Sequence, residues 1–236
     1  MEAVKACNIL ITGPNQGANR GLGLEMAKQL LEVHCSNICH DQDGPDSEAL
    51  RELAKKHPSV VTLVQLDVVD QWSIKESAKK VGSLLGKNGL NLLVNNAAML
   101  PHKKNMMTAT VEDMQNTFNT NVIGPLFEYL PYLRTAAKAK GRPGMSCNIA
   151  AVINISTDSA SMSIVPVMKE PFPPFPYSIN KVCKNPKTLI GVRNSHLYVA
   201  SIDVRESVEG MLCVIGSLTE KQNGAFLDYT GKTMPW

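Results

Sequence analysis

No apolar stretch in this chain approaches the roughly 20 residues that a bilayer crossing requires. The opening, Met1-Glu2-Ala3-Val4-Lys5, has no long apolar core of the kind a secretory leader carries. A cytoplasmic protein with no membrane partner is therefore expected. Charge of one sign is equally scarce: the net charge is +3 with 19% charged residues. Basic residues are scattered, and Lys79-Lys80 and Lys103-Lys104 read as solvated surface, so no nucleic-acid face is expected. The six cysteines are spread through a chain too long to need disulfide staples, and they read as free thiols in a reducing compartment. His34-Cys35-x3-Cys39-His40 packs ligand-type residues closely. It lacks a Cys-x2-Cys pair and a second distant ligand pair, and it falls where a second strand should run, so no metal is expected. At 236 residues, one α/β domain spanning residues 1–236 is the default.

Much is present in the first thirty residues. Ile9-Leu10-Ile11 reads as a buried parallel strand that breaks at Thr12-Gly13 into a glycine-rich loop and resumes as a helix from about Gly21. Gly17, Gly21 and Gly23 let a backbone turn sharply and approach a diphosphate with no Cβ in the way. The helix start adds unpaired N–H groups and the positive end of its dipole. The same triplet also occurs in plain turns; its place after the first strand of an alternating strand and helix pattern is what makes it a nucleotide cradle.

Further along, a weak strand is expected around Asn37–Cys39, a helix capped by Ser47 to about His57, and a strong β-branched strand over Val60–Leu66. Asp67 falls at that strand's carboxyl end, where it either contacts an adenine amine or caps the next helix, expected over Ser73–Leu85. Leu90–Val94 is the fourth strand. It runs into Asn95-Asn96-Ala97-Ala98, whose amides either tie neighbouring strands while leaving a small surface for a flat ring, or form a plain turn. A helical stretch over about Val111–Ala137 is kinked or split by Pro125 and Pro131, with Asn121 a poor interior residue unless its side chain has a task. Ile149–Ile155 is the fifth strand and delivers Ser156-Thr157-Asp158-Ser159 to the same sheet edge. The proline-rich run Ala160–Pro176 is a disordered excursion or a substrate-facing lid. Tyr177 and Lys181 then share one face of a helix.

This ordered set, glycine loop, Asn95-Asn96-Ala97, Ser156-Thr157 and Tyr177-x3-Lys181, resembles the short-chain dehydrogenase/reductases. Within them it is most similar to the C-factor-like carbonyl reductases. Ala18-Asn19-Arg20-Gly21-Leu22-Gly23, Leu50–Pro58 and the tail Glu206–Leu212 with Gly224–Tyr229 are the closest echoes. The resemblance implies a doubly wound, Rossmann-like parallel sheet and hydride reduction of a small carbonyl compound, and it suggests a homo-oligomer. The residues fit that chemistry: carbonyl reduction needs a proton donor, Tyr177 is one, and a Lys181 ammonium one turn away is expected to lower the phenol's pKa.

By resemblance, Lys181 also holds the nicotinamide ribose, and Thr157 stands at the catalytic serine position, with Ser156 and Ser159 as other carriers. Asn121 matches the asparagine that supports the lysine through water. The cofactor-binding set becomes Gly17, Arg20, Gly21, Gly23, Asp67, Asn95, Ala97 and Lys181. Arg20 favours a 2′-phosphate, hence NADP(H) over NAD(H), while His40 stands where relatives carry arginine.

The chain departs from that pattern in several places. Pro14-Asn15-Gln16-Gly17 reads as an insertion in the phosphate loop, Ala98 replaces a glycine and Asn180 a serine. After Lys181, Cys183-Lys184-Asn185-Pro186 is expected to stop the helix within about two turns, and the region beyond reads as shortened, with no nicotinamide-holding loop. There, His196–Ile202 is either a replacement sixth strand or the lead into the last helix. These departures sustain an alternative: an impaired or inactive homologue acting through nucleotide binding or its surface.

Overall fold

Ile9, Leu10 and Ile11 are wholly buried, and they alternate between two cores: Ile9 and Ile11 join one cluster, Leu10 the other. Only a strand covered by helices on both faces needs three consecutive apolar residues. Each such burial is worth about 1.5–3 kcal/mol. The computed structural model describes residues 8–13, 21–32, 36–41, 48–101, 104–124, 129–140, 149–164, 175–183, 189–192 and 202–236.

Among them the strands are β1 Asn8–Ile11, β2 Ser36–Asp41, β3 Val61–Gln65, β4 Leu92–Asn95, β5 Ala151–Thr157, β6 Leu189–Val192 and β7 Phe226–Leu227. They form one seven-stranded sheet in the order β3-β2-β1-β4-β5-β6-β7, every neighbouring pair parallel. The chain moves outward from β1 to β3 and returns to β4 on β1's other side. That makes the β1/β4 boundary the switch point at which such sheets open a crevice along their carboxyl edge.

The helices are α1 Leu22–Glu32, α2 Glu48–Lys56, α3 Gln71–Leu85, α4 Val111–Phe118, α5 Leu130–Lys140, α6 Phe175–Cys183 and α7 Val204–Ser217. Leu24, Met26 and Leu30 of α1, Leu50 of α2 and Val208, Met211 and Ile215 of α7 cover one face with Ile153 and Ile155. Ala78, Val81 and Leu85 of α3 and Leu133 of α5 cover the other with Leu10 and Leu93. This is the doubly wound α/β architecture expected.

Several expectations change in detail. β2 is six residues long, longer than its composition suggests, because β1 and β3 supply ladder partners on both sides. Asp70, not Asp67, caps α3, its carboxylate accepting from Trp72 N and Ser73 N at 3.1 Å each. The long central helix is split, as its prolines suggest. α4 runs into a π-type turn over Asn119–Ile123, and Pro131 sits in the first turn of α5, where a missing N–H costs nothing.

The sixth strand is Leu189–Val192 and not His196–Ile202. Asn154 to Thr157 of β5 pair with it residue for residue, and an open parallel edge outweighs the poor strand propensity of Gly191. Residues 193–201, holding most of the alternative run, lie outside the described residues. α6 is described over Phe175–Cys183, and Lys184, Asn185 and Pro186, expected to stop it, lie outside the described residues. No described helix is long and apolar enough to cross a membrane.

Candidate active site at the carboxyl edge of the sheet

Thr12, immediately after β1, laces the first and fourth strand ends together. Its N–H donates to Val94 O at 3.0 Å, and its Oγ1 accepts from both Asn96 N and Ala97 N at 3.1 Å. Asn96 returns the bond through Nδ2 to Thr12 O at 3.1 Å and Gly13 O at 2.9 Å. Gly13 has φ +58°, and a Cβ there would come within 2.7 Å of Ala97, so only glycine fits between the two loops. One strand further, Asn95 Nδ2 donates to Asn154 Oδ1 at 2.9 Å, tying β4 to β5. The Asn95-Asn96 amides thus bind strands together and do not form a plain turn. Asn95 and Ala97 are themselves nearly covered, 4% and 3% exposed. They line a narrow, mostly apolar cleft with Thr12, Leu66, Val68 and Tyr129.

Asp67 lies half-buried at the same edge. Its Oδ1 accepts from Val69 N at 3.0 Å, a short Asx-type turn. Gly21 stands at the foot of α1, its carbonyl accepting from Glu25 N at 3.2 Å, and Gly23 is buried inside α1. Gly17, Arg20 and the inserted Pro14–Gln16 lie outside the described residues, as do His34 and Cys35.

The other half of the site is organised by α6, which packs on β5, on the 3-10 turn Asp158–Ala160 and on the π-type turn carrying Asn121. Tyr177 and Lys181 share one face, as their spacing predicts. Lys181 is 1% exposed; its Nζ donates to Ile155 O at 2.7 Å and lies 5.3 Å from the centre of the Tyr177 ring. Asn121 is fully buried, and both ends of its amide engage one backbone unit: Oδ1 accepts from Met99 N at 2.7 Å and Nδ2 donates to Met99 O at 3.0 Å. A widened turn is where a helix breaks its own ladder. Here the asparagine fixes the segment after β4 against it, which is the task its helix-interior position called for.

One expectation about this half is corrected. Lys181 does not pull the Tyr177 pKa down. The phenol is pushed above its ordinary value of 10.0, first by burial and then by the negative charge of Asp158. The ammonium is drawn to the Ile155 carbonyl and the ring face. Thr157, expected as the hydroxyl that steadies a substrate oxygen, donates its proton to Asp158 Oδ1 at 3.1 Å and accepts from Ser159 Oγ at 3.3 Å. Asp158 Oδ1 also takes Ser159 N at 2.8 Å. The sequence reading passed over Thr12, Asn154 and Asp158. Of these, Asp158 carried the clearest signal, an acid directly after the catalytic-serine position.

Ser156 Oγ, at the end of β5, is buried with no hydrogen-bond partner among the described residues. Such an orphan at a sheet edge is a place for a ligand group. With the β1/β4 switch point and the start of α1, the described residues fit a nicotinamide dinucleotide.

The comparisons with known proteins agree with this geometry. A family model described as enoyl-(acyl carrier protein) reductase matches residues 17–168, more than half of the chain. An uncharacterised oxidoreductase of Schizosaccharomyces pombe is 27% identical, over 93% of this chain and 96% of its own length. Among solved structures, the NADPH-bound carbonyl reductase from chicken fatty liver superposes with TM-score 0.87 and 31% identity, covering 100% of this chain and 96% of its own. The carbonyl reductase Sniffer of Drosophila melanogaster superposes with TM-score 0.87 and 26% identity, over 98% of this chain and 100% of its own. Strand order, the α6 pair and these matches coincide: the chain belongs to the short-chain dehydrogenase/reductase oxidoreductases.

Proposed function

We propose that the protein reduces a small aldehyde or ketone with NADPH. The observation that carries the reading is the Tyr177 and Lys181 face of α6, anchored on Ile155 O beside Thr157. A reduced nicotinamide supplies the hydride when bound. Tyr177, held in its protonated form, donates its hydroxyl proton to the carbonyl oxygen, so that the C=O π bond becomes a C–H and an O–H bond. A phenol with a raised pKa suits reduction, where it must begin as an acid. The reverse reaction would have to begin from a phenolate that burial and Asp158 both oppose.

For holding the cofactor we assign the α1 start with Gly17, Gly21 and Gly23 to the diphosphate, Arg20 to a 2′-phosphate and Asp67 to the adenine. Asn95 and Ala97 form the cleft wall, and Lys181 serves the ribose. Asn121 supports the α6 pair from the π-type turn packed against it. NADPH is preferred to NADH on Arg20 and on the NADPH named for the chicken structure.

The test is thermal stability with each nucleotide, followed by nicotinamide absorbance with a panel of carbonyls. Stabilisation by NADPH, and turnover that falls at least about 10²-fold in Tyr177→Phe, would support the enzyme. Among the described residues the Tyr177 hydroxyl makes no hydrogen bond, so the substitution should leave the melting temperature in place. A second reading, a nucleotide-binding homologue without turnover, is favoured by the Thr157 proton pointing to Asp158. Stabilisation by NADPH with no carbonyl consumed would select it.

A further inference from the structure

The turn after β5 puts a carboxylate where carbonyl reduction does not call for one. Asp158 is half-buried, and its hydrogen bonds, from Thr157 Oγ1 and Ser159 N, both end on Oδ1. Among the described residues Oδ2 accepts nothing, and no lysine, arginine or histidine forms an ion pair with the group. Parts of the proposed reaction lie beside it: Thr157 precedes it, α6 packs on its turn, and its charge reaches the Tyr177 phenol.

A partly desolvated anion with no counter-charge is unfavourable by itself and a ready partner for a cation. In this place it also works against the proposed acid, since a negative charge near Tyr177 opposes formation of the phenolate. A positive group arriving with the substrate would remove both penalties.

We propose that Asp158 is a substrate-recognition residue whose second carboxylate oxygen, without a partner among the described residues, binds an ammonium carried a few bonds from the reacting carbonyl, so that the preferred substrates are amino-ketones or amino-aldehydes. The assignment rests on the reductase reading above. The turn carrying Asp158 packs against the helix carrying Tyr177, so a carbonyl oxygen at the Tyr177 hydroxyl and an N–H donor about 2.8 Å from Oδ2 are taken as the ends of one short molecule. Pairing by the ammonium offsets the field at Tyr177 chiefly where phenolate charge develops, in the transition state, so the preference extends to kcat and is not confined to KM.

Three ketones of one shape test it: 3-(dimethylamino)propiophenone, protonated at neutral pH; isohexanophenone, its neutral counterpart; and 3-benzoylpropionate, its anionic one. The expected order of kcat/KM is cation, neutral, anion, with about tenfold between the first two, the size of one charge-assisted hydrogen bond. Asp158→Asn should bring cation and neutral ketones together, and Asp158→Glu should keep the order. An order unchanged in Asp158→Asn, or no order in the native protein, overturns the assignment. A second arm measures dissociation constants of the three corresponding alcohols in Tyr177→Phe, which does no chemistry. The order seen in binding without turnover of any ketone would uphold Asp158 and sink the reductase reading. Turnover without an order would do the opposite.

Discussion

Lys181 Nζ and Ile155 O are 2.7 Å apart, inside a site where the lysine is 1% exposed. The bond crosses from α6 to β5 and holds the ammonium by the face of the Tyr177 ring. Burying an ammonium costs several kcal/mol before its partners offset it. A site that retains such a charge is built for something other than stability. Lys181→Met, similar in length and uncharged, is therefore expected to melt no lower than the native protein while losing most of the stabilisation by NADPH. A melting temperature clearly below that of the native protein would mean the lysine is structural.

Tyr177 makes a prediction in pH. Its folded pKa is raised, by burial first and Asp158 second, above the ordinary 10.0. Below pH 10 folded and unfolded chains both hold the proton and its contribution to stability is fully present. Above pH 10 the unfolded phenol ionises first and that contribution is progressively lost. The native protein should thus lose stability relative to Tyr177→Phe as pH rises past 10, measured by urea unfolding. Reduction should stay flat into the alkaline range for the same reason. In Asp158→Asn the alkaline limb should move down yet remain above the ordinary tyrosine range, because burial is the larger cause.

Thr12 Oγ1 accepts from two backbone N–H groups. Asn96 N has a second acceptor in Val94 O, so Thr12→Val chiefly strands Ala97 N in a buried place. The expected cost is about 1–3 kcal/mol, against well under that for Thr12→Ser, which keeps the hydroxyl. Denaturant midpoints of the two variants check it, and equal midpoints would remove the role given to the hydroxyl.

Asn121→Leu keeps the branched shape and deletes both bonds to Met99. A loss of about 1–3 kcal/mol is expected, with faster hydrogen exchange at the Met99 amide. Protection at Met99 equal to that of the native protein would show that the π-type turn does not hold this segment.

The parts of the fold legible from sequence were those whose signal is local. Ile9-Leu10-Ile11 and Val61–Gln65 are β-rich runs that a doubly covered strand requires. The i, i+4 pairing of Tyr177 with Lys181 follows from helix geometry. β6 was not legible: a Leu-Ile-Gly-Val run becomes a strand because β5 offers it an open edge. The cap of α3 moved three residues on, since both Asp67 and Asp70 carry the right side chain and only the backbone path chooses between them.

The site divides the same way. By itself, the order of residue types along the chain determined the alternation of strands and helices, because periodicity and turn chemistry act over a few residues, and it carried the resemblance to the family. Tertiary structure alone decided how those side chains are used. The Thr157 proton goes to Asp158, the Asn121 amide to Met99 and the Lys181 ammonium to Ile155 O. Hydrogen bonds and charge fields act through space, and no spacing in a sequence records which acceptor will stand nearest once the chain has closed.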